Sequence, residues 1–168
     1  MESLNGSRSR RAIVMGATSG LGREIALELL KRGFIVGVCG RRLELLQEFE
    51  AVAPQQVFIR QIDVTASDAP ERLLGLVEEM GGMDMYIHSS GIGYKNMALD
   101  GRIERETVIT NALGFTQMVD AAFDWFKVRG GGHIAFISSV AGTKGLGAAP
   151  SYSATKRYQW IYAQALAP

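Results

Sequence analysis

Tyr152 and Lys156 stand four residues apart, and a serine pair, Ser138 and Ser139, precedes them. On a helix, positions i and i+4 share a face. A free tyrosine has a pKa of about 10 and is a poor acid–base group near neutrality. An ammonium beside it favours the phenolate, so the pair could move protons at working pH. Alone, such a pair is a common surface decoration. Its context is a glycine turn far earlier in the chain. Residues 12–33 read AIVMGATSGLGREIALELLKRG: an apolar run over Ala12–Met15, then Gly16, Gly20 and Gly22, then a helical pattern with Ile25, Leu29 and Leu30 on one face. Gly33 ends that helix. Strand, glycine turn and helix together suit a phosphate: the helix N-terminus offers free N–H groups, and glycines let the backbone approach closely.

A second group of residues follows later strands. Gly40-Arg41-Arg42 comes after an apolar run, with no Asp or Glu before Glu44. A ribose 2′-hydroxyl favours a carboxylate at this place and a 2′-phosphate favours arginine, so Arg41 and Arg42 point to NADP rather than NAD; the bland alternative is a solvated helix start. Asp63 and Val64 follow the next apolar run, where Asp63 is either an adenine contact or a local turn cap.

These residues need elements to hold them. The pattern predicts strands over 12–15, 34–39, 57–62, 85–88 and 134–138. It predicts helices from the glycine turn to Gly33, over 43–52, over 68–80 with Pro70 in the first turn, over 103–128, and from about Ser151 onward. Strands that are nearly continuous in apolar residues and alternate with helices mean a parallel sheet covered on both faces. The fold class is α/β, a Rossmann-type doubly wound sheet, with ligand expected at the carboxyl ends of the strands. Residues 1–10 read as a disordered tail and 11–168 as one nucleotide-binding domain.

Composition is that of an ordinary globular domain: 168 residues, 47% hydrophobic, 21% charged and a net charge of +1, which gives no sign of a nucleic-acid surface. The basic cluster Arg8, Arg10 and Arg11 reads as part of the solvated tail. No stretch approaches a membrane helix, and the polar start is no signal peptide. Cys39 is alone in an apolar run and reads as a reduced core thiol, with the cytoplasm as the expected compartment. His88 and His133 lie in or beside strands and read as structural; no metal is implied.

Taken together, the chain resembles a classical short-chain dehydrogenase/reductase. The resemblance rests on GATSGLG at 16–22, Asp63-Val64, Asn111 in NALG, ISSVAG at 137–142 and YSATK at 152–156, in matching order, with 13 residues from Ser139 to Tyr152. It implies an NADP-dependent oxidoreductase that interconverts a carbonyl and an alcohol. Tyr152 would be the acid or base at the carbonyl oxygen, Ser139 would hold that oxygen, Lys156 would bind the nicotinamide ribose and lower the tyrosine pKa, and Asn111 would hold a water in a proton relay. Cofactor contacts are implied at Gly16, Thr18, Ser19, Gly20, Leu21, Gly22, Arg41, Arg42, Asp63, Val64, Ser89, Ser90 and Gly91, besides Tyr152 and Lys156. A rival reading is a cofactor-binding scaffold or sensor without turnover. The substrate would be a small molecule framed by residues 92–102 and 143–150, and a homodimer or homotetramer is expected, with α-helical apolar residues Phe115, Met118, Val119, Ala122, Phe123 and Phe126 in excess of what one sheet face needs.

Two departures from the family pattern stand out. Met15 replaces the usual threonine before the first glycine, and His88-Ser89-Ser90-Gly91 replaces the usual Asn-Asn-Ala-Gly. The Ser90 hydroxyl is expected to make the tie that the threonine makes in the family, worth about 1 kcal/mol. Relatives also continue beyond the tyrosine helix into further strands and a substrate cover, so these residues are expected to belong to a longer protein.

Overall fold

The computed structural model describes residues 9–166. Five parallel strands, β1 (Arg11–Met15), β2 (Ile35–Gly40), β3 (Val57–Gln61), β4 (Met85–His88) and β5 (His133–Phe136), form one sheet in the order β3-β2-β1-β4-β5. The helices are α1 (Gly20–Lys31), α2 (Leu43–Val52), α3 (Ala69–Glu79), α4 (Gly101–Val108), α5 (Phe115–Val128) and α6 (Pro150–Leu166).

Strand side chains alternate between faces, and the alternation sorts the core in two. Ile13 and Met15 of β1, Cys39 of β2 and Tyr86 of β4 pack with Leu73 and Leu76 of α3 and Phe115 and Met118 of α5. Val14, Val36, Val38 and Ile87 pack on the opposite face with Ala26 and Leu30 of α1 and Leu46 and Phe49 of α2. Both faces being covered explains why the strands carry so few polar residues. Cys39 is fully buried, and burial pushes its thiol far above the ordinary range, so it packs as a small apolar group.

Three sequence expectations are corrected here. The basic cluster is not all tail. Arg10 gives its carbonyl to the Ile35 N–H at 3.0 Å, and Arg11 opens β1, donating from Nε to the Met80 carbonyl at 2.6 Å and from its backbone N–H to Asp84 at 2.8 Å. Arg8 and the rest of 1–8 lie outside the described residues. The long helix expected over 103–128 is not continuous: a π turn over Ile109–Gly114 separates α4 from α5. Gly114 sits there because a Cβ would come 2.9 Å from Val64 Cγ2 and from the Val64 carbonyl oxygen, too close for any side chain. Nor are the apolar residues of α5 surplus, Phe123 excepted, which is half-buried. Phe115, Met118, Val119, Ala122 and Phe126 are all buried within this chain.

Among the described residues, no helix is long and apolar enough to cross a membrane.

Candidate active site

Chain direction across the sheet reverses between β1 and β4. The chain leaves β1 toward β2 and β3, then returns to β1's other side. In open α/β sheets the crevice at such a point, above the carboxyl ends of the strands, receives ligand. Here it is a cavity of about 760 Å³, within the size range of small-molecule and cofactor sites.

One wall is the turn after β1. Gly16, Thr18, Ser19, Gly20 and Leu21 all line the cavity. Gly16 has φ +90°, and a Cβ on it would lie 2.7 Å from the Ser90 amide nitrogen; a Cβ on Gly22 would lie 2.2 Å from the Gly16 carbonyl oxygen. Gly22 therefore does not line the cavity but lets α1 sit directly against the turn. Ser19 occupies the N-cap position of α1 without capping it by its side chain, and the first turn holds no acidic residue. The N-terminal N–H groups and the positive end of the helix are thus turned to the cavity without a carboxylate of the chain to satisfy them. That is a cradle for a phosphate, and it fits a dinucleotide.

Arg41 and Arg42 line the next stretch, both exposed. Arg42 alone is fixed in place. Its guanidinium donates to Thr18 Oγ1 and to Ser19 Oγ, each at 2.9 Å, which sets a permanent positive charge at the rim of the glycine turn. Asp63 lines the cavity and also makes the local cap that was the alternative reading, accepting from Thr65 N–H at 2.9 Å and Thr65 Oγ1 at 2.8 Å. Val64, Ser89, Ser90 and Gly91 complete this side. The expected Ser90 tie is absent. The Ser90 hydroxyl meets no hydrogen-bond partner among the described residues, and the turns after β1 and β4 are joined by the Ser89 N–H donating to the Met15 carbonyl at 2.8 Å. The reason is proximity: the backbones of Gly16 and Ser90 touch, leaving no gap for a hydroxyl to bridge.

The opposite end of the cavity carries Tyr152 and Lys156, presented by α6 as the i, i+4 spacing requires. Tyr152 is half-buried, and its ring lies so close to Gly93 that a Cβ there would be 2.5 Å from Tyr152 Cδ2. Lys156 is buried, with Nζ 5.9 Å from the Tyr152 ring centroid and 2.9 Å from the Ile137 carbonyl that accepts from it. Burial lowers its pKa. Ser138 lines the cavity and Ser139 does not; Ser139 caps a short 3-10 turn over Val140–Gly142 by accepting from the Ala141 N–H at 3.2 Å. That bond uses a lone pair of Ser139 and leaves its proton free to be donated.

Asn111 is fully buried in the π turn and does not line the cavity. Its side chain clamps the loop after β4: Oδ1 accepts from the Ile92 N–H at 2.8 Å and Nδ2 donates to the Ile92 carbonyl at 2.7 Å. His88 is buried at the end of β4, its Nδ1 2.9 Å from the Tyr86 hydroxyl and its ring edge-on to Phe115, and burial, reinforced by the Lys156 charge, brings its pKa down to about 3. It is neutral at physiological pH. Of the two loops expected to frame a substrate, Ile92 and Gly93 line the cavity and 143–150 does not. The sequence reading missed Thr110, which lines the cavity, and Gln159, which bonds Lys156; only for Gln159 was there a signal, a polar residue one turn beyond Lys156 on its face of the helix.

Comparison with known proteins shows the family to which the chain belongs. The family profile described as short chain dehydrogenase matches residues 10–167. An uncharacterized oxidoreductase of Myxococcus xanthus is 36% identical over 163 residues, covering 94% of this chain and 64% of that protein. The NADP-dependent 3-hydroxy acid dehydrogenase YdfG of Escherichia coli is 33% identical over 150 residues, covering 87% and 60%. A crystal structure of actinorhodin polyketide ketoreductase with NADPH superposes with a TM-score of 0.86 at 30% identity, covering 94% and 64%. The chain thus spans less than two thirds of the length of these relatives.

Proposed function

Since the chain belongs to the short chain dehydrogenase family, we propose that its cavity binds NADP(H) and that the whole protein interconverts a carbonyl and an alcohol on a small molecule. One observation carries the reading: the phosphate cradle, a fixed arginine and the tyrosine–lysine pair all face one cavity. When bound, the cofactor would supply or accept the hydride.

The chain's own residues do the rest. The uncapped N-terminus of α1 and the Gly16–Leu21 turn hold the pyrophosphate, and Arg42 holds the 2′-phosphate as a charge-assisted partner. Lys156 binds the nicotinamide ribose hydroxyls. Ser139 donates its free proton to the carbonyl oxygen, holding it where Tyr152 can protonate it, or deprotonate the alcohol in reverse. The NADP-dependent relative and the NADPH-bound structure support the cofactor choice by likeness.

Titrating the purified full chain with NADPH and with NADH, and repeating with Arg42→Ala, tests it. NADPH is expected to bind more tightly, and the variant to lose roughly 10- to 100-fold toward NADPH while changing little toward NADH, the range for a hydrogen bond to a charged group. Equal affinity of the unmutated protein for both cofactors refutes the NADP assignment. Binding without oxidation of NADPH by any carbonyl compound favours a scaffold.

A further inference from the structure

The Lys156 ammonium has three protons, and two are committed within the chain. One goes to the Ile137 carbonyl at 2.9 Å and one to Gln159 Oε1 at 3.1 Å. Gln159 in turn donates from Nε2 to the Asn111 carbonyl at 2.8 Å. Gln159 is 1% exposed and one helical turn from Lys156. A carboxamide's two ends are ordinarily interchangeable. Here they are not: a backbone carbonyl only accepts and an ammonium only donates, so Nε2 must face Asn111 and Oε1 must face Lys156. The far anchor is itself immobile, because Asn111 is buried in the π turn and its side chain is bonded twice to Ile92.

We propose that Gln159 is a positioning residue for Lys156: its buried carboxamide, braced on the Asn111 carbonyl, holds the ammonium at the ribose end of the cavity. The proposal rests on the NADP-binding reading above. An amide also anchors without conducting. Unlike a water, it cannot take a proton at one end and release another from the opposite end without passing through an unfavourable tautomer. The line from Lys156 through Gln159 to Asn111 is therefore a strut. This differs from the water-holding role that resemblance implies for Asn111.

The test uses the full chain and NADPH as probe. Gln159→Leu and Gln159→Met each remove both hydrogen bonds while keeping an apolar side chain of comparable size, and each is made with Lys156 present and in a Lys156→Ala background. A strut acting through Lys156 predicts strong coupling between neighbouring sites. NADPH affinity should fall about tenfold with Lys156 present and by less than about twofold when residue 156 is alanine. Equal losses in both backgrounds would assign Gln159 to general packing and overturn the proposal, as would no loss in the parent background. Failure of both variants to melt cooperatively would likewise make Gln159 a core residue only. If the unmutated protein does not bind NADPH, the cofactor reading itself fails, and Gln159 loses its role with it; that outcome is visible before any variant is made.

Discussion

At the residue scale the proposed site sets one half-buried, cavity-facing hydroxyl among several buried supports. The Tyr152 hydroxyl meets no partner among the described residues and is half-buried at the cavity, whereas Lys156 is bonded and buried. Tyr152→Phe keeps the ring against Gly93 and removes only the proton. It should cut carbonyl turnover by at least a hundredfold, the scale of lost general acid–base catalysis, with NADPH affinity within about twofold of the parent, because no bond within the chain depends on it. Steady-state kinetics beside a binding titration checks both halves. A different residue teaches by its failure. Ser90 looks in sequence like a tie between β1 and β4, but that tie is a backbone bond from Ser89 to Met15. Ser90→Ala should therefore leave the melting temperature unchanged within error; a loss corresponding to one hydrogen bond, about 1 kcal/mol, would restore the side-chain role.

At the element scale, α6, which turns Tyr152 and Lys156 to the cavity, is held at its start and its middle. Gln159 braces its middle. Glu104 of α4 clamps its start, accepting from the Ser151 N–H at 3.1 Å and the Ser151 hydroxyl, while its other oxygen accepts from Asn96 Nδ2 at 2.7 Å. The Ser151 hydroxyl first, then Asn96, holds the Glu104 carboxyl below the usual carboxylate range. A carboxyl whose pKa is lowered by folding stabilises the protein above its unfolded pKa, and that contribution disappears as pH falls through the folded value. Glu104→Gln should flatten the loss of melting temperature between about pH 5 and 3 relative to the parent; parallel curves would show that the clamp does not depend on charge. None of this was legible in advance. The strands, α1 to α3 and the glycine turn follow from apolar runs and breakers that are local in sequence. The Glu104–Ser151 and Asn111–Gln159 pairs join positions more than 45 residues apart, and the π turn depends on how Gly114 meets Val64. The tyrosine–lysine pair could be read because a helix places i and i+4 together without help from the rest of the fold, while Ser139 and Asn111 could be named only by resemblance.

At the scale of the molecule, five of the six apolar residues of α5 that pointed to an interface line this chain's own core, and Phe123 is half-buried. Among the exposed apolar side chains are Val108, Ile109 and Leu113 along α4 and the π turn, and Tyr158 and Ile161 on α6, 41–58% exposed. Tyr158 is tied to Thr116, at the start of α5 next to the π turn, by a hydroxyl bond at 2.7 Å. Self-association through this face should be weakened by Leu113→Glu, which would place a charge in it. Sedimentation at micromolar concentration should show an oligomer for the parent and a shift toward monomer for the variant; a parent that is monomeric throughout contradicts the expectation of a homodimer or homotetramer.

The strand order also sets a clock. β1 takes β2 on one side, pairing Arg11 with Ile35, and β4 on the other, where the Arg11 N–H meets Asp84 73 residues later. With synthesis at roughly 5–20 residues per second, the first partner emerges within about 1–5 s of β1 and the second only after about 4–15 s. For those seconds the newborn chain carries half a sheet whose central strand is bare along one side, its N–H and C=O groups there unpaired. The strand that ends at the centre of the sheet therefore waits during birth with an open edge, which makes it a natural point of capture by a chaperone or by a neighbouring ribosome's copy.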